Sequence, residues 1–203
     1  MKIICIGRNF VEHAHELKNE VPTDPVFFLK PDTAILPAGR SFYLPEFSSD
    51  IHHEVELVLK ICKEGKHIAQ EFAHRYYDKI TVGLDFTARD VQQRQKEKGL
   101  PWEPAKAFDH SAPVGEFVSI TDLKDRNAIP FNLSKNGVIV QEGNISQMIF
   151  SFDKIIAFVS RYITLRKGDL IFTGTPKGVG QIKAGDLLEA TLEGNKLLTV
   201  KVA

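Results

Sequence analysis

Three carboxylates stand on two neighbouring strands that the sequence predicts. Glu54 and Glu56 are two residues apart in the alternating segment 51–61, and Asp85 falls in the alternating segment KITVGLDFT. Side chains at positions i and i+2 of a strand leave the same face, about 7 Å apart, so both glutamates can reach one ion. Such oxygen ligands suit Mg²⁺ or Mn²⁺, with Ca²⁺ as a substitute, better than Zn²⁺. The pattern predicts a metal site, and its alternative is an exposed strand that carries solvated acids.

A histidine and a glutamate lie three residues apart on the first predicted helix. His13 and Glu16 can therefore touch, and the carboxylate can orient the imidazole for acid–base catalysis. His15 next to them indicates that polar residues are common in this segment. The alternative is a surface helix whose histidine and glutamate have no catalytic role.

Two lysines and a glycine-rich segment offer groups that bind anions. Lys106 lies in PAKAFD and Lys30 between FFL and Pro31, and each could bind a substrate carboxylate or be an ordinary solvated lysine. The segment GTPKGVG (174–180) lacks the G-K-[ST] ending of a phosphate-binding loop, so a nucleotide site is not expected. Its glycines either let backbone N–H groups approach a bound carboxylate or oxyanion, or simply form a turn.

The composition disfavours several classes of partner. The chain has 203 residues with 43% hydrophobic content, enough for one catalytic domain over 1–203. Lys+Arg and Asp+Glu both count 26, so no overall positive charge attracts nucleic acid or an anionic membrane. The N-terminal apolar run is too short for a signal sequence or a membrane span. Cys5 and Cys62 give neither a disulfide framework nor a soft-metal motif, which fits a reducing cytoplasm.

Short strands and helices must position these groups. Periodicity and turn residues predict an α+β fold with a mixed or antiparallel β core. Helices are predicted over 10–18, with Asn9 as cap, and over 68–77. A third helix is predicted from a capping box at Thr87 and Asp90 to Gly99, with an exposed first turn. A fourth is predicted over 152–163, with a buried stripe of Ile155, Ile156, Val159 and Tyr162. Hairpin turns are predicted at Asn136 with Gly137 and at Gly194 with Asn195. The segment 31–50 is predicted to be a long surface loop and a candidate lid.

Seven segments together resemble the fumarylacetoacetate hydrolase superfamily, in particular its short members of the acylpyruvase and oxaloacetate decarboxylase type. In chain order they are GRNFVEHAHEL, PVFFLKP, HHEVELVL, GLDFTARDVQ, KGLPWEPAKAFD, QEGNISQMIFS and GDLIFTGTPKGVG. The resemblance implies a β-rich mixed sandwich-roll of the C-terminal-domain type, and a homodimer. It also implies a Mg²⁺ or Mn²⁺ ion held by Glu54, Glu56 and Asp85. The first motif lies close to the N-terminus, without the separate domain of longer members, so fumarylacetoacetate itself is a less expected substrate.

The resemblance implies roles for the other candidate residues. His13 and Glu16 match a catalytic pair on a segment that becomes ordered over substrate, and Lys106 matches an active-site lysine. The positions that match residues near the substrate are Lys30, Arg89, Gln92 and Thr175.

The implied function is cleavage of C–C bonds in small 2-keto acids, by acylpyruvate hydrolysis, oxaloacetate decarboxylation or both. A hard cation would act as a Lewis acid that stabilises an enolate as the bond breaks. In the hydrolysis, His13 assisted by Glu16 would deprotonate the attacking water, while Lys106 or Gln92 would stabilise the oxyanion. Two alternatives stay open. One is an isomerase or decarboxylase of hydroxyheptadienedioate-type intermediates of aromatic degradation, and the other is a non-catalytic module that binds a ligand at the metal site.

Overall fold

A six-stranded mixed sheet forms the centre of the fold in a computed structural model that describes residues 1–16 and 21–203. The strands are β1 (Ile3–Gly7), β2 (Val26–Lys30), β3 (Ile51–His53), β4 (Val55–Ile61), β5 (Tyr77–Leu84), β6 (Thr87–Ala88), β7 (Val118–Ser119), β8 (Pro130–Lys135), β9 (Val138–Asn144), β10 (Leu170–Phe172), β11 (Gly180–Gln181), β12 (Leu187–Leu192) and β13 (Asn195–Lys201). The helices are α1 (Val11–Glu16), α2 (Arg89–Lys98), α3 (Glu103–Lys106) and α4 (Phe152–Tyr162), with 3-10 helices at Asp32–Ala34, Gln70–Arg75, Ile120–Asp122 and Ile145–Gln147.

The strands form three sheets. The central sheet has the order β2-β1-β10-β4-β5-β7, in which β1 and β10 are parallel and the other neighbours are antiparallel. The second sheet is β11-β3-β6, and the third is an antiparallel sheet of order β13-β12-β8-β9. The predicted α+β class with a mixed β core is therefore confirmed.

Strand β4 is buried on both faces of the central sheet. Leu57 and Leu59 pack in the main hydrophobic core, whereas Val58 packs on the other side in a cluster with Cys5 and Phe172. The segment 51–61 is also divided at position 54, so that β3 and β4 belong to different sheets. The alternative of an exposed strand with solvated acids is wrong, because protein covers both faces of the strand.

Helix α1 covers Val11–Glu16, and positions 17 and 18 of the predicted helix lie outside the described residues. Asn9 does not cap this helix. Its side-chain amide donates to the carbonyls of Phe150 (3.1 Å) and Thr173 (2.8 Å) and accepts from the Phe150 N–H (2.7 Å). Asn9 therefore joins the end of β1 to the segments around Phe150 and Thr173 instead.

The predicted capping box of α2 is wrong, although the predicted end of the helix is confirmed. Thr87 pairs with His52 in the β3–β6 ladder, and its hydroxyl accepts a hydrogen bond from Lys106, so it is not free to cap. Asp90 accepts from the Ser48 hydroxyl (2.6 Å). The helix ends before Gly99, whose φ of 63° lies in the left-handed region that glycine favours.

Two further helix predictions need correction. The segment 68–77 holds the 3-10 helix Gln70–Arg75 rather than an α-helix, because Ala69 is extended and β5 begins at Tyr77. In α4 the stripe of Ile155, Ile156 and Val159 is buried as predicted. Tyr162 is 59% exposed, however, because it is the last residue of the helix and reaches the protein surface.

Both predicted hairpins form. Asn136 and Gly137 have φ values of 55° and 81° between β8 and β9, which is typical of a two-residue turn with positive φ at both positions. The second turn consists of Glu193 and Gly194, one residue earlier than predicted. Asn195 is not part of it, because Asn195 pairs with Leu192 as the first residue of β13.

The segment 31–50 packs against the body of the protein. The ring centroids of Phe42 and Phe86 are 4.3 Å apart, and the Phe42 N–H donates to the carbonyl of Lys201 (2.8 Å). No residue of this segment lines the cavity described below, contrary to the prediction of a lid. Within residues 1–16 and 21–203, no helix combines the length and apolar character needed to cross a membrane.

Candidate active site

The strand register brings the three predicted metal ligands together. Glu56 lies opposite Gly83 in the β4–β5 ladder, and the N–H of Asp85 donates to the carbonyl of Glu54 (2.8 Å). Carboxylate oxygens of Glu54, Glu56 and Asp85, one from each residue, lie within 4.8 Å of one another. The residues are 4%, 2% and 1% exposed, respectively, so the three acids converge in the interior.

Two cations neutralise Glu54. Arg89 Nη2 donates to Oε1 (2.6 Å) and Lys106 Nζ donates to Oε2 (2.7 Å). Burial opposes ionisation of Glu54, but Lys106 and Arg89 outweigh burial and hold the pKa of this carboxyl well below its usual range. Glu54 is therefore ionised at neutral pH.

Lys106 also binds a second carboxylate. Its Nζ donates to Asp85 Oδ2 (2.8 Å) and to the Thr87 hydroxyl (2.6 Å). Burial favours the neutral amine, but Asp85 and Glu54 outweigh burial and raise the pKa of Lys106 above its ordinary value. The Lys106 side chain is therefore an ammonium at neutral pH and cannot act as a base.

Glu56 has a different environment. Its Oε2 accepts a hydrogen bond from the Gly174 N–H (2.7 Å), and no basic side chain among the described residues lies within ion-pair distance of it. Burial, together with Asp85 and Glu54, raises its pKa well above the usual range. The repulsion by the carboxylates of Asp85 and Glu54 therefore acts on Glu56 without a described basic partner to offset it.

This donor set fits a hard divalent cation. Three carboxylates supply the oxygen ligands that Mg²⁺ and Mn²⁺ prefer. Asp85 Oδ1 is buried and forms an ion pair with Lys30 Nζ at 2.7 Å. A cation among Glu54, Glu56 and Asp85 would also remove the repulsion that raises the pKa of Glu56.

Lys30 lies behind Asp85 and does not line the cavity. Its side chain is fully buried, and Nζ donates to the carbonyl (2.9 Å) and hydroxyl (3.0 Å) of Ser111. The Ser111 hydroxyl in turn donates to the carbonyl of Lys106 (3.0 Å). Lys30 therefore holds Asp85 and the segment around Ser111 in place.

His13 and Glu16 form a pair on α1. His13 Nδ1 lies 3.2 Å from Glu16 Oε2, a hydrogen-bond distance that leaves Nε2 for another partner. His13 is buried and lines the same cavity as the three carboxylates. The predicted pair therefore stands beside the predicted metal ligands.

The glycine-rich segment 174–180 binds carboxylates of the protein itself. The Gly174 N–H reaches Glu56, and the Gly178 N–H donates to Glu16 Oε1 (3.1 Å). The two glycines have φ values of 101° and 94°, and a Cβ added to Gly178 would collide with the carbonyl of Val140. The expected contact of these N–H groups with a bound carboxylate or oxyanion stays a prediction, because the carboxylates they reach here belong to Glu56 and Glu16.

One cavity joins these groups. It encloses about 450 Å³ of space, counting its open mouth. The predicted site residues that line it are His13, Glu54, Glu56, Asp85, Arg89, Gln92, Lys106 and Thr175. The cavity is also lined by residues that sequence analysis did not select, namely Ile6, Gly7, Arg8, Phe28, Lys96 and Trp102.

The first turn of α2 is not exposed as predicted, because it packs over the cavity. Gln92 is buried, and its Oε1 accepts a hydrogen bond from Arg89 Nη1 (2.7 Å). Arg89 thus binds both Gln92 and Glu54. This leaves the amide nitrogen of Gln92 as a donor toward a ligand in the cavity.

Gln141 on β9 is a site residue that sequence analysis missed. Its Oε1 accepts from the Val55 N–H (3.0 Å) and from His53 Nδ1 (2.9 Å). Its Nε2 donates to the Thr175 hydroxyl (2.9 Å) and the Pro176 carbonyl (3.0 Å). Gln141 therefore connects His53 and Val55, which flank Glu54, to the glycine-rich segment. Its partners are 34 to 88 residues away in the sequence, beyond the reach of local spacing rules.

Comparisons with known proteins identify a family. The sequence model of the family described as fumarylacetoacetate (FAA) hydrolase C-terminal matches residues 2–203. The mitochondrial oxaloacetate tautomerase of Mus musculus is 46% identical over 200 residues, 98% of this chain and 90% of the relative.

Two solved structures are also similar. Fumarylpyruvate hydrolase from Pseudomonas aeruginosa, in complex with Mn²⁺ and pyruvate, has a TM-score of 0.94 and 37% identity, covering 100% of this chain and 89% of the other. The 2-hydroxyhepta-2,4-diene-1,7-dioate isomerase from Mycobacterium marinum has a TM-score of 0.86 and 37% identity, covering 100% of this chain and 74% of the other.

Proposed function

The chain belongs to the fumarylacetoacetate hydrolase family, and on that basis we propose that it is a divalent-metal-dependent enzyme acting on small 2-keto acids through their enolates. The first reaction proposed is enol–keto tautomerisation of an oxaloacetate-type acid, and the second is cleavage of a C–C bond in the same class of acid. The observation that supports the proposal is the convergence of three buried carboxylates and a His–Glu pair on one cavity.

The proposed metal ligands are Glu54, Glu56 and Asp85. Mg²⁺ or Mn²⁺ bound there would act as a Lewis acid toward a 2-keto carboxylate and favour its enolate form. Arg89, Lys106 and the Gly174 N–H fix the orientation of the carboxylates through the hydrogen bonds described above. The protein thereby holds the ligand atoms in place before the substrate arrives.

His13 is the proposed proton carrier. Tautomerisation needs one group that takes a proton from one end of the enol system and returns it at the other. Glu16 accepts the hydrogen bond from Nδ1, so it orients the ring, supports the imidazolium that forms, and leaves Nε2 for the transferred proton. Lys106 does not compete for this role, because it is held as an ammonium.

Arg89 and Gln92 are the proposed oxyanion donors, and Lys106 is proposed to stabilise the oxyanion by its charge. All three line the cavity, but the three N–H groups of Lys106 are already donated to Glu54, Asp85 and Thr87. Charge that develops on a substrate oxygen would be stabilised by such fixed donors. Thr175 is proposed to contact the substrate as well, because its hydroxyl lines the cavity and is held by Gln141. Lys30 is proposed to support Asp85 rather than to touch the substrate.

Cleavage of acylpyruvates is the second candidate because the similar structure of fumarylpyruvate hydrolase was solved with Mn²⁺ and pyruvate. In that reaction His13 would deprotonate a water that attacks the distal carbonyl carbon, and the leaving group would depart as the enolate of pyruvate. Oxaloacetate decarboxylation needs the same enolate and no attacking water. The hydroxyheptadienedioate isomerase is kept as an alternative, supported by the similar structure from Mycobacterium marinum.

A substrate panel tests the proposal. The metal-loaded protein is given enol oxaloacetate, keto oxaloacetate, an acylpyruvate and a hydroxyheptadienedioate, and enol loss, pyruvate formation and double-bond migration are measured. We expect enol loss or pyruvate formation with Mg²⁺ or Mn²⁺, and none with EDTA. Turnover of the dienedioate alone would favour the alternative, and turnover of none of the four would refute the proposal.

His13→Ala separates an enzyme from a binding module. Loss of a general acid–base group should lower kcat on the order of 10²- to 10⁴-fold, while metal binding measured by calorimetry stays intact. His74→Ala, which removes an exposed histidine, is the matched control. A His13→Ala variant as active as the wild type would contradict the assigned role.

We also propose a homodimer and a cytoplasmic location. The family resemblance supports the dimer, as do the exposed Val138 and Ile139 side by side on β9. Sedimentation velocity should give twice the mass of one chain. The relative from Mus musculus is named as mitochondrial, so the location is tested independently, by fractionation of the source cells.

A further inference from the structure

Two cations line the cavity without any role in the site described so far. Arg8 follows β1, and Lys96 lies in the last turns of α2. Both are partly buried, and neither forms an ion pair with a carboxylate in the described part of the chain. Their positive charges are therefore not neutralised by described residues.

The three carboxylates of the cavity cannot serve as partners for these cations. Glu54 is bound by Arg89 and Lys106, and Asp85 by Lys106 and Lys30. These contacts use both oxygens of Glu54 and both of Asp85, and Glu56 is assigned to the proposed metal site. Among the described residues, the cavity is lined by four basic side chains, Arg8, Arg89, Lys96 and Lys106, and by three acids, and a bound divalent cation would increase the positive excess.

Lys96 experiences this excess directly. Burial lowers its pKa, and Arg8, Arg89 and Lys106 lower it further. Arg8 itself has a φ of 60°, a left-handed conformation that residues with side chains rarely adopt. Such unusual backbone conformations occur more often at functional sites than elsewhere.

The position of Lys96 places it away from the metal ligands. Arg89, Gln92 and Lys96 stand at positions i, i+3 and i+7 of α2, so they share one face of the helix. Seven residues at about 1.5 Å per residue separate Arg89, which binds Glu54, from Lys96 by roughly 10 Å along the helix. The cavity wall also includes Phe28 and Trp102, whose rings pack edge to face at 5.9 Å. The cavity is thus lined by acids that suit a cation, by apolar rings and by Arg8 and Lys96.

We propose that Arg8 and Lys96 form a second carboxylate site, and that the preferred substrates are 2-keto diacids whose far carboxylate binds there. This inference rests on the proposed function, because the keto-acid end is assigned to the metal site. An acid with only one carboxylate would leave both cations unpaired and would bind less well.

Oxaloacetate and its C4 methyl ester form a matched pair of probes, because the ester keeps the carbon skeleton and removes one charge. We expect the wild type to prefer the diacid in kcat/KM. Arg8→Gln and Lys96→Gln should each lower kcat/KM for oxaloacetate on the order of 10- to 100-fold, the range expected for loss of a hydrogen bond to a charged group. Neither change should affect the ester. Lys98→Gln, on an exposed lysine of the same helix, is the control and should change neither substrate.

A binding measurement separates this inference from the proposed function. The affinities of unreactive 2-oxoglutarate and 2-oxobutyrate for the Mg²⁺-loaded protein are compared by calorimetry in the wild type and in both variants. A loss of affinity confined to the diacid supports the second carboxylate site even if no turnover is found. Equal losses for both acids, or none, with turnover intact, would overturn the second site and leave the proposed function standing.

Discussion

Lys106→Met removes the ammonium that lies between two buried carboxylates. In the wild type, Lys106 Nζ is 2.7 Å from Glu54 Oε2 and 2.8 Å from Asp85 Oδ2, and both acids are almost fully buried. Methionine keeps the length and apolar body of the side chain but leaves Asp85 with Lys30 and Glu54 with Arg89. Removing one partner of a buried ion pair lowers the free energy of unfolding by about 3–5 kcal/mol.

This cost can be converted to a melting temperature. For a chain of this length, 1 kcal/mol corresponds to a shift of about 2–4 °C, so Lys106→Met should lower the Tm by roughly 6–20 °C in EDTA. Mg²⁺ or Mn²⁺ should recover part of the loss, because a bound cation neutralises the same two acids. A ligand at 100 times its Kd adds about 2.7 kcal/mol of stability. In the variant the Lys106 ammonium no longer competes for the two acids, so the cation should bind the variant more tightly, and the difference between variant and wild type should shrink as metal is added.

Thermal unfolding followed by circular dichroism, with and without metal, measures both effects. Lys98→Met, at an exposed position near the end of α2, is the control for the loss of a positive charge and should melt like the wild type. Turnover should fall on the order of 10²- to 10³-fold, as expected for removal of a group that stabilises the oxyanion. If Lys106→Met melted at the wild-type temperature in EDTA, the ion pairs would not hold the buried acids as inferred.

Three further predictions follow from the site. The pKa of Glu56 is raised in the folded metal-free chain, so the folded chain keeps a proton that the unfolded chain releases at lower pH. The free energy of unfolding should therefore fall as the pH rises through the folded-state pKa of Glu56. Glu56→Gln should flatten this dependence in melting curves, and metal binding to the wild type should release a proton, seen by calorimetry in buffers of different ionisation enthalpy. Gln141→Glu keeps the acceptor for Val55 but loses the donors to Thr175 and Pro176, so kcat/KM should fall on the order of 10- to 100-fold, and an unchanged value with an unchanged Tm would remove Gln141 from the site. Gly178→Ala should lose more stability and activity than Gly185→Ala, because both have similar positive φ but only an added Cβ at Gly178 meets other atoms; equal effects would show that the Gly178 to Glu16 contact is unimportant.

The parts of the site that follow local rules could be predicted from the sequence. The two-residue spacing of Glu54 and Glu56 predicted that both reach one site, although Glu54 lies between β3 and β4, and His13 and Glu16 meet at helical spacing. Asp85 was grouped with the glutamates because it lies in a similar alternating segment, but its place beside Glu54 depends on strand register, which sequence spacing does not determine.

The parts that depend on tertiary contacts could not be predicted. Thr87 was predicted to cap a helix, but its backbone pairs with His52 in a strand ladder and its hydroxyl accepts a hydrogen bond from Lys106. Gln141 reaches the site from a hairpin 86 residues beyond Val55. The burial of β4 could not be predicted either. Alternation of polar and apolar residues predicts a half-exposed strand, whereas β4 is covered on both faces.

The dependence of turnover on Mn²⁺ tests the central claim most directly. Wild type and Glu56→Gln are stripped with EDTA, dialysed and titrated with Mn²⁺ while turnover of oxaloacetate is followed. Stripped wild type should be inactive and recover with one ion per chain, whereas Glu56→Gln should not recover at the same Mn²⁺ concentration. A stripped wild type that keeps its full rate, or a Glu56→Gln variant that titrates like the wild type, would contradict the proposed metal site.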